Sequence, residues 1–305
     1  MNTLETFLEG TVRTATPLAF AAIGETVAER SGVINIGLEG AIIAGAFGGF
    51  VAAGSGSVWL GFAGAGLAGL AIAAAFAFFA IRMRADQIIT GTAISLLSLG
   101  LTATLYRQIY GAEGAALSIP TMHIVEIPVL VSLPLIGRAL FAQPPATYIL
   151  YVLVPAIWWW MYRTHAGLGL RAIGEDPRAA VAAGINAGRI QLFAVLFGGV
   201  LGGFAGGVLV IAQAGSFAEG MSAGRGFIAV AIVVLGRWHP LGAAAAAVIF
   251  GAASALQYFF QAMGWALPYQ AFLALPYVLT LLGLAGIAGR AHAPASLGRW
   301  PDQAR

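Results

Sequence analysis

The sequence predicts an all-α, polytopic transmembrane helical bundle of about nine segments, and three observations predict it. Sixty per cent of the 305 residues are hydrophobic, 9% are charged and the mean hydropathy is +0.88; a soluble domain carries roughly 25% charged residues. The apolar residues gather in runs near the ~20 that cross a bilayer's hydrocarbon core. The basic residues fall between those runs. One membrane domain therefore accounts for residues 1–305, and Met1 to Gly10, with two glutamates and no basic leader, is expected to insert as a true helix rather than a cleaved signal.

The first segment, 8–28, leads into the most polar stretch, ETVAERSGVINIGLEGAIIAGAFGGF from Glu25 to Phe50. Here Glu25, Glu29, Glu39, Arg30 and Asn35 stand among residues suited to lipid. A charge at the bilayer centre costs at least ~2.5 kcal/mol, so such groups face protein or an aqueous path. Gly32, Gly37 and Gly40 predict a helix interrupted at membrane depth within the second segment, 33–54. Glu25, Glu29 and Arg30 are expected near the cytoplasmic interface, ion-paired or snorkelling to water.

Segments 58–81 and 87–106 follow, the latter opened by Gln87, Thr90 and Thr92. Residues 107–145 form an extracytoplasmic loop with five prolines (Pro120, Pro128, Pro134, Pro144, Pro145) and an apolar middle, VEIPVLVSLPLIGRALF. It reads as a loop on the membrane, a short interfacial helix or a docking surface. After segment 146–163 comes a cytoplasmic loop, 164–187. Segment 188–213 carries GGVLGGFAGG, whose small-xxx-small pairs suit close helix packing; Gln213 and Ser216 end it. Segment 225–237 is too short to cross as a standard helix and reads as a half-helix or a re-entrant piece. Segments 241–262 and 268–288 and a short polar tail, AHAPASLGRWPDQAR, complete the chain. A loose echo links 33–49 with 229–251: an apolar lead, a glycine interruption, then a small-residue helix. Paired interruptions of this kind point to a site at a repeat interface.

Nine crossings with the N-terminus outside and the C-terminus cytoplasmic place Arg30, Arg82, Arg84, Arg163, Arg171, Arg178, Arg189, Arg237, Arg290, Arg299 and Arg305 inside, leaving Arg13, Arg107, Arg138 and Arg225 towards the outside. That asymmetry obeys the positive-inside rule. Every basic residue is arginine, so the chain has no Walker A lysine and no Schiff-base nucleophile. It has no cysteine, and its four histidines are scattered, which removes thiol chemistry and any metal cluster from consideration. The basic residues follow topology rather than forming a nucleic-acid patch. No Ser/His, HExxH or paired-aspartate arrangement for an intramembrane enzyme occurs in the spans.

The loop from Thr164 reads THAGLGLRAIGEDPRAAVAAGI, punctuated by Gly167, Gly169, Gly174 and Gly184. Asp176-Pro177 is a helix start, the aspartate capping free N–H groups and proline suiting the first helical position. RAAVAAGI then gives a short helix ended by Gly184, fit to lie in a groove on a partner or to serve as an ordinary connection.

GLGLRAIGEDPRAAVAAGI resembles the coupling-helix loop of permease subunits of bacterial ABC importers, in the branched-chain amino acid, simple sugar and nucleoside permease family. ERSGVINIGLEG resembles that family's N-terminal signature, GRGFIAVAIVVLGRWHPLGA its C-terminal one and APASLG its tail. The likeness runs from about Gly24 to Gly298 and is greatest to the shorter permease of nucleoside-type importers. The resemblance implies an inner-membrane permease paired with a second, paralogous permease. Cytoplasmic ATPases would bind ATP and Mg, this chain binding no cofactor, and an extracytoplasmic substrate-binding protein or lipoprotein would deliver the solute. It implies a coupling element of Gly167, Arg171, Gly174, Glu175, Asp176, Pro177, Ala180 and Gly184. Polar residues at depth, Asn35, Glu39, Gln87, Thr90, Thr92, Gln213 and Ser216, are expected either along the translocation path or bonding freed backbone of a broken helix. An ion-coupled secondary transporter using Glu25, Glu29 or Glu39 is the alternative.

Overall fold

The computed structural model describes residues 3–111, 118–262 and 292–299, together with Ala274, Val278 and Leu281. Among them the first helix, α1 (Thr3–Arg30), is followed by a non-helical turn and then by α2 (Leu38–Ala53). α3 (Val58–Ala77) continues as a π-helical turn through Arg82, and α4 (Gln87–Tyr110) starts where the Asp86 carboxylate accepts the Ile88 and Ile89 N–H groups. After α4 the chain makes α5 (Gly137–Phe141), α6 (Pro145–Arg163), α7 (His165–Glu175), α8 (Pro177–Ala182), α9 (Ala187–Gly207), α10 (Arg225–Leu235) and α11 (Pro240–Ala262). The segment expected at 268–288 lies outside the described residues, apart from three positions.

Four of the described helices are long and apolar enough to cross a membrane: Val58–Arg82, Gln87–Tyr110, Ala187–Ala214 and Pro240–Gln257. α1 has the length as well, at 28 residues. α10 does not: eleven residues rise only about 16 Å. The irregular chain before it covers the rest of the distance along α1. Gln213 bonds the Arg13 carbonyl near the start of α1, whereas Trp238 bonds Arg30 at its end. Between those contacts the chain advances about 26 Å along α1. The thirteen-residue segment is therefore a half-helix entered through a loop.

α9 is the hub, and its glycines explain why. A Cβ on Gly45 of α2 would stand 2.5 Å from the Gly203 α-carbon, and one on Gly24 of α1 would stand 2.9 Å from the Gly198 carbonyl oxygen. Gly69 of α3 abuts Gly199 in the same way. Three helices thus approach α9 backbone to backbone, the packing expected of small-xxx-small pairs. Around these contacts, Phe20, Phe62 and Phe204 fill the remaining space, with Phe62 and Phe204 stacked at 4.4 Å.

Two elements depart from what the sequence predicts. Val125–Glu126 pairs antiparallel with Ala142–Gln143, folding the proline-rich loop back on itself. That loop is pinned to the end of the α9 segment, where Ile119 and Met122 donate to the Gly215 and Ile211 carbonyls. The glycine-punctuated stretch after Thr164, expected as loop, is helix α7. Its glycines sit against other backbones instead of breaking it: Gly167 packs on Met161 and Gly174 on the Arg30 carbonyl.

Candidate functional site

Residues 31–37 interrupt the helical run between α1 and α2, and an interruption within a membrane must satisfy its own freed amides and carbonyls. Buried side chains from three helices do this. Glu25 of α1 accepts from the Asn35 N–H at 2.8 Å, and Gln87 of α4 accepts from the Ile34 N–H at 2.8 Å. Ser95 of α4 donates to the Ile36 carbonyl and Gln191 of α9 to that of Ser31. Gly32 turns the chain at φ +90°, a conformation that L side chains resist.

The second interruption meets the first. Glu39, in the first turn of α2, accepts from Gly224 N–H at 2.9 Å and Gly226 N–H at 2.6 Å, capping the start of α10 with both carboxylate oxygens. An anion at a helix N-terminus is favoured by the unpaired N–H groups and the dipole there. The first of the two segments that echo each other in sequence, 33–49, thus reaches the chain just ahead of the second, 229–251. At the far end of α10, the Trp238 indole N–H donates to Glu29, and Arg30 Nε donates to the Trp238 carbonyl at 2.7 Å.

Glu25 and Glu29 are 0% and 2% exposed, so the expectation that they reach water at an interface is not met. Half of each carboxylate is held by an N–H from a later segment. The Glu25 and Glu29 carboxyls also bear on each other, while both side-chain polar atoms of Asn35 have no hydrogen-bond partner among the described residues. Such orphans concentrate where a molecule rearranges or takes up a polar guest.

The seven polar residues singled out for a path do not converge. Asn35, Glu39 and Gln87 gather around the two interruptions, and Thr90 is buried on the first turn of α4 beyond Gln87. Thr92 faces outward and bonds its own helix at Ile88. Gln213 and the half-buried Ser216 lie at the opposite end, where Gln213 bonds Arg13.

The elbow α7–α8 packs directly below the first interruption. Arg171 donates to the Met161 carbonyl and lies 4.7 Å from the Tyr162 ring centroid. Glu175 is 3.9 Å from Arg30. Asp176 accepts from the Arg178 and Ala179 N–H groups, Pro177 opens α8, Ala180 is buried, and Gly184 ends the turn at φ +84°. The outward face of α8 presents Arg178, Ala179 and Val181, the last 55% exposed.

The tail, expected only as a short polar end, closes over this junction. Ser296 donates through both its N–H (2.9 Å) and its hydroxyl (2.7 Å) to the Gly174 carbonyl, and the Gly298 N–H donates to the Gly32 carbonyl at 3.0 Å. One strand of chain thereby ties α7 to the interrupted helix. His239, in the turn between α10 and α11, is held below its ordinary pKa by burial and by nearby Arg30. Sequence reasoning does not single out Trp238, Gln191, Ser95 or Ser296. Trp238 and Ser296 do fall within the motifs quoted above; Gln191 and Ser95 give no signal beyond being polar in an apolar run.

The family described as Branched-chain amino acid transport system / permease component matches residues 7–284. A putative glucose ABC transporter permease protein, TsgC13 of Haloferax volcanii, is 39% identical over 284 residues, covering 90% of this chain and 84% of that protein. The guanosine ABC transporter permease protein NupQ of Bacillus subtilis is 36% identical, with 97% of this chain and 96% of NupQ aligned. The nucleoside ABC transporter permease protein NupC of Lactococcus lactis is 33% identical, with 98% and 97% aligned. No solved structure matches the chain. Interrupted membrane helices joined to a packed elbow, and likeness running almost end to end, lead to one conclusion: the chain belongs to the branched-chain amino acid transport system permease component family.

Proposed function

We propose that this chain is the membrane-spanning permease subunit of an ATP-binding-cassette importer, moving a nucleoside or purine-like solute into the cytoplasm, with a simple sugar as the second choice. The observation that carries this is its nearly full-length likeness to NupQ and NupC; the likeness to TsgC13 keeps the sugar in view. The N-terminus would lie outside and the C-terminus inside the bacterial inner membrane. A second, paralogous permease would complete the path, two ATPase subunits would supply ATP and Mg, and an extracytoplasmic binding protein would deliver the solute.

In this reading the elbow is the coupling element. Glu175, Asp176 and the outward face of α8 would seat in the ATPase, while Gly167, Arg171 and Gly174 pass its motion to α6 and α1. Support comes from the contrast between the exposed α8 and the tightly packed α7. Asn35, with its unpartnered amide at the interruption, and Glu39, at the joint, are the residues proposed to sense the solute's passage.

Two measurements test this. Asp176→Asn keeps an acceptor for the α8 cap and removes the charge; Asp176→Arg removes both. The proposal expects ATPase co-purification to weaken with Asp176→Asn and fail with Asp176→Arg. Uptake of labelled guanosine and glucose then assigns the solute. Uptake that survives loss of the ATPase and collapses with the proton gradient would overturn the importer assignment.

A further inference from the structure

A groove of about 580 Å³ opens between the end of the α3 segment and the start of α9, and no residue of the interruption at 31–37 or of α7 or α8 lines it. Its walls are apolar, built from Ala74 and Phe78 on one side and Leu192 and Leu196 on the other. At one end stand Arg82, Arg84 and Arg189, and no carboxylate among the described residues lines it. Arg82 and Arg189 are exposed and have no carboxylate partner among the described residues. The positive end of the 21-residue α9 opens into the same place, with Asn186 as its cap. From Ala74 to Arg82 the groove runs about 12 Å along α3.

The feature is therefore a cationic mouth on an apolar slot, placed at the end of two membrane helices. A free phosphate matches the mouth and leaves the slot wet. A second apolar helix matches the slot and leaves two guanidinium groups against hydrocarbon, which is costly. A phosphodiester headgroup with an attached acyl chain matches both, and basic pockets between helices at the cytoplasmic side bind such headgroups. We propose that this groove binds one anionic phospholipid, its phosphate between Arg82 and Arg189 and its acyl chain between α3 and α9. The lipid would brace the start of α9, the helix that directly follows α8. This inference needs only that the chain is membrane-embedded; it does not depend on the solute or on the elbow's partner.

The test is lipid retention by the purified full chain after extraction from vesicles of phosphatidylcholine mixed with an equal amount of phosphatidylglycerol, read by native mass spectrometry. Wild type should retain phosphatidylglycerol preferentially. At about fivefold per arginine, Arg82→Gln/Arg189→Gln should lose that preference by roughly 25-fold. Ala74→Trp, at an exposed wall position, should block the acyl slot while leaving the arginines in place. Equal retention of the two lipids overturns the proposal, as does a preference unaffected by the double substitution. Inorganic phosphate displacing the lipid, with Ala74→Trp without effect, assigns the mouth to a free anion and also overturns it. Unchanged lipid retention with weakened ATPase co-purification assigns the arginines to a protein partner and overturns the lipid site as well.

Discussion

Gly226 is held by Glu39 twice over: its N–H donates to Glu39 Oε2 at 2.6 Å, and a Cβ in its place would stand 2.5 Å from the Glu39 nitrogen. Backbone contact and cap thus occupy the same few ångströms. Gly226→Ala should push α10 off α2 and reduce the yield of monodisperse protein. Glu39→Ala, which leaves two N–H groups unpaired, should cost about 1–3 kcal/mol. Thermal unfolding in detergent checks both, and a Gly226→Ala protein as stable as wild type would show that the joint is loose.

Gly174 bears on both the Arg30 carbonyl and Ser296. Gly174→Ala should therefore separate α7 from α1 and from the tail. Under the importer assignment proposed above, the expected phenotype is ATP hydrolysis retained by the assembled complex with uptake lost. Ser296→Ala removes one hydrogen bond, worth about 1 kcal/mol, and should show a milder form of the same split. Normal uptake by Gly174→Ala would remove this contact from the coupling route.

Trp238 and Glu29 are bonded across 209 residues of sequence, inside the protein. Trp238→Phe leaves a buried carboxylate oxygen without its donor and should destabilise by about 1–3 kcal/mol. Adding Glu29→Met should recover part of that loss, because removing both partners is gentler than removing one. A double-mutant cycle on Tm values measures the coupling; additive effects would argue against the bond.

At the opposite end, Arg107 grips Glu219 through two hydrogen bonds of 2.7 Å. These bonds, with the charge attraction, hold the Glu219 carboxyl below its ordinary pKa. A lowered carboxyl contributes stability above its ordinary pKa and loses it as pH falls through the lowered value. The Tm gap between wild type and Glu219→Gln should be widest near neutral pH and close in acid. Both groups are exposed, so the gap should be small and shrink in high salt. A gap that grows in acid would contradict the pairing.

Much of the fold is legible in the sequence, for physical reasons that differ from residue to residue. The interruption after Arg30 announces itself because carboxylates and glycines are costly in a lipid-facing helix. Asp176-Pro177 announces α8 because capping chemistry is local. α7 is hidden because glycine discounts helix wherever its packing partner is unknown, and the partners of Gly167 and Gly174 lie on other helices. The burial of Glu25 and Glu29 is hidden for the same reason: the donors that hold them, Asn35 and Trp238, become neighbours only in the fold. The tail's role requires knowing that residue 296 returns to residue 174.

The amides and carbonyls freed at residues 31–37 carry a consequence for biosynthesis. Ser31 finds its partner in Gln191, 160 residues later. At ribosomal speeds of about 5–20 residues per second, that partner emerges roughly 10–30 s after the serine. For that interval the first two helices cannot rest in lipid with their junction dry. They must wait in a wet or proteinaceous shelter until α4 and α9 arrive. Gln191 is the last of the four side chains to emerge, but the Gly32 carbonyl waits longer still, for the Gly298 N–H, so the junction is complete only once the tail has been made.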